Sequence, residues 1–363
     1  MPDRVVLLAT SPRVAPGLLS WPAWETLRTG VVLTGDPEHP QLEAVRHAGI
    51  DVDVLDGEPE ATARELRERA RAVPAVWLVA PEGDDALLSA LRALGDAGLE
   101  VEVLDGSFDL PGARLLDVVT TMDRLRSPGG CPWDAQQTHE SLGPYLLEEA
   151  YEAFEAIEEG DRDALREELG DVLLQVAFHA RVAQEDTERP WSIDDVASGL
   201  VDKLVRRHPH VFADVEVAGA DDVVANWDVI KTEEKRRTSV TDGVAMSQPA
   251  LTLAATLQRK ATKLGLPPGL LSPEIAAAET PGQAVSAAAA VVEERSGVDT
   301  VGELLWAAVL LARLQDVDPE AALRGRARAF RDRLAEVERE ARSAGLDPKE
   351  FDVRQWQQRW EGR

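Results

Sequence analysis

The 363-residue chain reads as a multidomain protein. An N-terminal α/β region, Rossmann-like with a parallel sheet, is followed by an all-α helical bundle that ends in a degenerate second helical repeat. Three observations predict this. Short β-rich runs alternate with helical patterns up to about residue 110. From Leu110 onward the apolar spacing turns helical and stays so. The stretch Gly170–Arg181 also shares its register with Gly302–Arg313, position by position.

The β-rich runs are Val5–Ala9, Val31–Thr34, Val52–Leu55, Ala75–Ala80 and Val101–Leu104. Helical patterns such as Ala61–Val73 and Asp85–Ala97 lie between them. The region contains no G-x-G-x-x-G fingerprint and no P-loop. His39 and His47 stand alone and are expected at the surface. These patterns set the expected domains at 1–110 (α/β), 111–237 (helical, with the chemistry) and 249–345 (second repeat), with 346–363 as a C-terminal tail. A polar linker runs over Thr238–Pro249.

A formal net charge of −27 argues against binding DNA, RNA or anionic membranes, since a polyanion is repelled. It leaves room for a small nucleotide whose charge is carried by a metal ion. The single cysteine, Cys131, rules out an intramolecular disulfide. The start MPDRVVLLATSPRVAP is too short an apolar run for a signal peptide, and no run is long enough to span a bilayer. A cytoplasmic location is expected.

The most informative segment is Leu146–Glu185. Its apolar residues recur at helical spacing on both sides of Gly160, a helix terminator, and Asp161, an N-cap. An antiparallel helical hairpin follows. Glu152 and Glu168 each lie 8 residues from Gly160, and Glu149 and Asp171 each lie 11. Residues equidistant from the turn share a level, and residues three apart share a face. The four carboxylates therefore converge about 12–16 Å from the turn. Clustered carboxylates repel one another unless a cation sits among them, and an all-oxygen donor set favours Mg²⁺ or Mn²⁺ over zinc. Spacing alone leaves a solvated acidic face as the other reading.

Upstream, Gly129, Gly130 and Pro132 mark a tight loop before Trp133, which either stacks on a base or plugs the helix junction. Downstream, Lys203 and Arg207 are four apart on a helix ending before Pro209 and suit phosphate oxygens, or else form a solvated face. Trp227 and Lys231 repeat the pairing of an aromatic with a cation one turn away. His179 is expected as a packed core histidine, not a ligand. In the second repeat Thr300 takes the place of Glu168, and the helix GQAVSAAAAVVEE has acids only at Glu293 and Glu294.

Residues from about 113 to 265 resemble the MazG family of nucleoside triphosphate pyrophosphohydrolases. The resemblance rests on MDRLRSPGGCPWDAQQTH, YLLEEAYEAFEAI, LREELGDVLLQVAFHA, DKLVRRHPHVFADV and WDVIKTEEKRR. The family signature E-E-x-x-E then E-x-x-D falls on Glu148, Glu149 and Glu152, and on Glu168 and Asp171. The resemblance implies an all-α NTP pyrophosphatase bundle, Mg²⁺ ligands at Glu149, Glu152, Glu168 and Asp171, and nucleotide contacts at Lys203, Arg207, Trp227 and Lys231. It also implies conversion of an NTP to NMP and pyrophosphate, and a homodimer or higher homo-oligomer. The second repeat lacks the acidic signature and is expected to assemble, not to catalyse. The N-terminal region weakly resembles a truncated tetrapyrrole-methylase domain without the glycine-rich methyl-donor loop. Three rivals use the same residues differently: a Mg-nucleotide sensor, an oligomerisation scaffold, and a di-iron bundle. The last is disfavoured because its sites use Glu-x-x-His, and here the second pair ends in Asp171.

Overall fold

A computed structural model describes residues 3–95, 98–213, 219, 223, 239–267, 280–295 and 297–362. Five strands, β1 (Asp3–Ala9), β2 (Val31–Thr34), β3 (Val52–Val54), β4 (Ala75–Leu78) and β5 (Leu99–Asp105), pair in parallel in the order β3-β2-β4-β1-β5. The central strands β1 and β4 read as unbroken apolar runs because both faces of the sheet are covered. Helices α1 (Trp21–Thr29) and α2 (Leu42–His47) close one face through Ala23, Leu27, Leu42 and Val45. Helices α3 (Pro59–Arg69) and α4 (Asp85–Gly95) close the other through Ala63, Leu66, Leu87 and Leu91. The edge strand β5 carries exposed Glu100 and Asp105, which suits a strand with one side unpaired.

His39 corrects the expectation of a surface histidine. It is buried, its Nε2 lies 2.9 Å from the Val79 carbonyl, and its Nδ1 accepts from Gln41 N–H. Burial is tolerated because both ring nitrogens find backbone partners. His47 is exposed, as expected.

The chain packs as two units, Met1–Arg206 and Arg207–Arg363. The first joins the α/β sheet to helices α5 (Leu115–Arg126), α6 (Pro132–Gln136), α7 (His139–Glu159), α8 (Arg162–Ala183) and most of α9 (Ile193–Arg207). Arg13, after β1, grips Asp117 in the first turn of α5 with two parallel bonds of 2.8 and 2.6 Å and reaches Asp109 at 2.7 Å.

The second unit begins with α10 (Pro209–Phe212) and contains α11 (Ala250–Lys263), α12 (Pro281–Glu294), α13 (Val298–Leu314) and α14 (Pro319–Ser343). Residues 346–363, expected as a tail, carry a 3-10 turn and helix α15 (Val353–Glu361), whose Trp360 ring packs 5.2 Å from Phe330 of α14. Its hairpin core is small: Ala284 and Ala288 of α12 against Ala307 and Leu310 of α13. The two units repeat a three-helix layout, α5–α7–α8 and α11–α12–α13. Thr121-Met-Asp-Arg124 on α5 corresponds to Thr256-Leu-Gln-Arg259 on α11. Arg181 of α8 pairs with Asp123 at 2.8 Å, and its counterpart Arg313 of α13 bonds Gln258 at 3.2 Å.

Candidate metal and nucleotide site

The α7–α8 hairpin is fixed at its turn by local chemistry. Gly160 ends α7 in the left-handed region at φ 72°, where a β-carbon is strained. The Asp161 carboxylate then caps α8 by accepting from the N–H groups of Asp163 and Ala164, each at 3.0 Å. At the far end Thr138 and Ser141 form a reciprocal capping box that starts α7. With both ends set, the register of the acids follows. One carboxylate oxygen from each of Glu149, Glu152 and Glu168 lies within 4.8 Å of the others.

Asp171 acts electrostatically on Glu149 and Glu168 from one helical turn beyond. The Glu149 carboxyl is raised above its ordinary value by desolvation first, then by Asp171, Glu152 and Glu148. Glu168 is raised by desolvation, then by Glu152, Asp171 and Glu167. Every charge acting on the two is negative. Such a cluster is stabilised by a bound divalent cation, and its donors are all hard oxygens, the set suited to Mg²⁺ or Mn²⁺. Glu148 is exposed beside it on α7.

The other expected residues are distributed as follows. Lys203 and Arg207 are half-buried one turn apart on α9, while their neighbours Val201, Asp202, Leu204, Val205 and Arg206 are exposed. Trp227 and Lys231 lie outside the described residues. Trp133 is 51% exposed. It meets Tyr145 and Phe178 edge-on at 6.2 and 6.5 Å.

Sequence reasoning missed the groups that hold the Trp133 loop. Arg126 is 8% exposed. It forks onto Glu185 at 3.0 and 2.7 Å and donates to the carbonyls of Asp134 and Gln137. Its guanidinium also lies 5.5 Å from the Phe178 ring centroid. Gly130 permits the loop's close return: a β-carbon there would stand 2.3 Å from the Leu125 carbonyl oxygen. The residues that make these bonds are up to 59 apart in sequence, so no local pattern announces them. A second missed pair is His139 and His179, whose Nδ1 atoms lie 2.8 Å apart. His179 is thus a half-buried, hydrogen-bonded residue at the hairpin's open end, not a plain core histidine.

Comparison with known proteins places the hairpin within a matched family domain. The family model described as the MazG nucleotide pyrophosphohydrolase domain matches residues 137–212, which hold the whole acidic hairpin. The chain is 39% identical over 250 residues to the nucleoside triphosphate pyrophosphohydrolase of Escherichia coli strain K12, covering 67% of this chain and 94% of that one. It is 39% identical over 251 residues to the nucleoside triphosphate pyrophosphohydrolase/pyrophosphatase MazG of Thermotoga maritima, covering 68% and 93%. An uncharacterized 26.1 kDa protein of Streptomyces cacaoi is 48% identical over 262 residues, covering 71% and 98%.

Proposed function

Because the chain belongs to the MazG family, we propose that it hydrolyses nucleoside and deoxynucleoside triphosphates to monophosphate and pyrophosphate, clearing unwanted nucleotides from the pool. The observation that carries this reading is the carboxylate cluster on α7 and α8, crowded and wholly acidic. Glu149, Glu152, Glu168 and Asp171 hold Mg²⁺, with Mn²⁺ as a substitute. When bound, the metal neutralises charge on the triphosphate and lowers the pKa of water. Glu148 or one of the clustered carboxylates takes the proton from the attacking water. Lys203, Arg207 and Lys231 stabilise the leaving pyrophosphate. Trp133 and Trp227 provide aromatic faces for the base.

A lone hairpin cannot enclose a nucleotide. The α7–α9 surfaces leave Tyr151, Ile157, Leu169, Leu200, Val201 and Leu204 exposed, an apolar display that supports pairing with a second copy of the chain. Residues 111–237 form the catalytic region in this reading, and residues 249–345 serve assembly. No helix among the described residues is long and apolar enough to cross a membrane, in keeping with action on dissolved nucleotides.

The test is incubation with each NTP and dNTP plus Mg²⁺ and identification of products. NMP and pyrophosphate, lost on adding EDTA, are expected. NDP with inorganic phosphate as first products would place the chain in a different hydrolase class.

A further inference from the structure

His139 opens α7 and His179 lies near the end of α8. Their Nδ1 atoms are 2.8 Å apart and their rings are parallel to within 5°. Parallel planes can be no further apart than two atoms that lie in them, and 2.8 Å is less than the ~3.5 Å at which ring carbons touch. The rings are therefore not stacked face to face. They lie side by side, joined by an in-plane N–H···N bond. Such a bond takes one donor and one acceptor, so a single proton lies between the two Nδ1 atoms.

The two rings sit in different surroundings. His179 is half-buried, and burial first, then His139, holds it below the ordinary histidine value. It is the ring that favours the neutral form, and its Nε2 is buried without a partner. His139 is the exposed ring of the pair. The charged groups facing His139 are Glu140 on α7 and Asp186 in the turn after α8. Backbone and Thr138 hydrogen bonds at the start of α7 lower Glu140, and the backbone N–H groups of Arg189 and Glu188 lower Asp186. His139 adds to both effects. The Trp191 indole lies parallel to His139 within 10° at 6.2 Å, just before α9 begins.

The pair stands where the Trp133 loop meets the hairpin. The Gln137 side chain donates to the Trp133 carbonyl at 2.9 Å and accepts from Ser141 at 2.8 Å, two residues into α7. Phe178, beside His179, meets the Trp133 ring. We propose that His139 and His179 are positioning residues: a one-proton latch that holds the first turn of α7 and Trp191 against α8, and so holds Trp133 where a base can meet it. A first added proton goes to the free Nε2 of the donor ring and keeps the Nδ1–H···Nδ1 bond, whereas protonation of both rings puts a hydrogen on each Nδ1, replaces the bond with repulsion and opens the latch.

The activity arm rests on the pyrophosphohydrolase reading. In the full chain, wild type is compared with His139→Phe, His179→Phe and the double variant, which keeps two packed rings without the proton. KM and kcat for one NTP are followed from pH 8 to pH 5.5. Wild-type KM rises several-fold on acidification, more than kcat falls, whereas the double variant's KM follows only the drift set by the acidic cluster. Each single variant has a raised KM across the range. Nitrogen-detected NMR shows one of the two rings protonated on Nδ1 and the other on Nε2.

Identical KM profiles in wild type and double variant, or two rings titrating independently, would overturn the latch. If wild type turns over no NTP, the pyrophosphohydrolase reading fails by itself, and melting temperature decides the latch. Wild type should then lose more on acidification than the double variant, and equal losses would overturn it.

Discussion

The α7–α8 hairpin gathers Glu149, Glu152 and Glu168 with Asp171 one turn beyond, while the α12–α13 hairpin places Thr300 and Glu303 opposite an alanine-rich partner helix. The difference begins at the turn. Glu168 stands six residues after the first residue of α8, Arg162, and Thr300 stands two after Val298. The second hairpin therefore turns four residues closer to the ligand position, which falls in the capped first turn of α13. There the Thr300 hydroxyl accepts from Gly297 N–H at 3.1 Å and donates to the Arg295 carbonyl. The second hairpin shows that this helix pairing forms without the carboxylates. Helix packing therefore gives no reason for the carboxylates of Glu149, Glu152 and Glu168 to be crowded in the first.

The comparison breaks most severely if Glu303→Ala disables turnover. Asp171→Ala and Glu152→Ala are expected to lower kcat by roughly 10²–10³-fold or more, the scale of losing one preorganised charge-stabilising group. Glu303→Ala should leave kcat unchanged. Equal loss in Asp171→Ala and Glu303→Ala, with the oligomer intact by light scattering, would put a working site in the second repeat.

Mg²⁺ sharpens the contrast next. Saturation to about 100 times Kd should stabilise wild type by about 2.7 kcal/mol, read as a rise in Tm, and Asp171→Ala should lose most of that rise. The pH dependence has a definite sign. Glu149 and Glu168 have folded-state pKa values raised above the ordinary 4.5, so the metal-free protein binds their protons more tightly folded than unfolded. That contribution to stability is full below pH 4.5 and is lost as pH rises through the raised values. Mg²⁺ should offset the loss, and a metal-free Tm that rose through the same window once Glu149 and Glu168 were changed to Gln would confirm whose protons matter.

Smaller effects test the turns and the buried acid. Gly160→Ala places a β-carbon at φ 72° in open space, so strain alone should cost about 1–2 kcal/mol in chemical denaturation. A neutral result would mean that the turn relaxes. Glu303 has one carboxylate oxygen buried without a partner. Glu303→Ala should change stability by no more than about 0.5 kcal/mol or improve it, and a large loss would reveal a partner for that oxygen.

Much of this was legible in the sequence because it is local. The strands were written in β-branched runs, and the hairpin's ends in Gly160 and Asp161. The level of the acids needed only counting from that turn. The buried state of His39 was not legible, because its partners Val79 and Gln41 are backbone groups that leave no mark on residue type. Arg126 and the His139–His179 pair were hidden for a related reason. Their bonds join residues 40 and 59 apart, a matter of tertiary approach and not of spacing along one helix. The repeat was legible as an apolar framework, but the shift of its turn was not, since Gly297 caps the start of α13 with an extended backbone and does not end α12 in the left-handed region as Gly160 ends α7.

Arg13 has a practical consequence for dissecting the protein. It is the α/β region's grip on the first turn of α5, and Asp117 is held below the ordinary carboxylate range chiefly by that hydrogen bond. α5 in turn supplies Asp123 and Arg126, the partners of Arg181 and Glu185 on and just after α8. A truncation begun at residue 111 would leave Asp117 with Arg114 alone, loosening the helix that braces the hairpin from behind. A fragment meant to isolate the chemistry should therefore keep the sheet, or replace Asp117 with a residue that needs no cation.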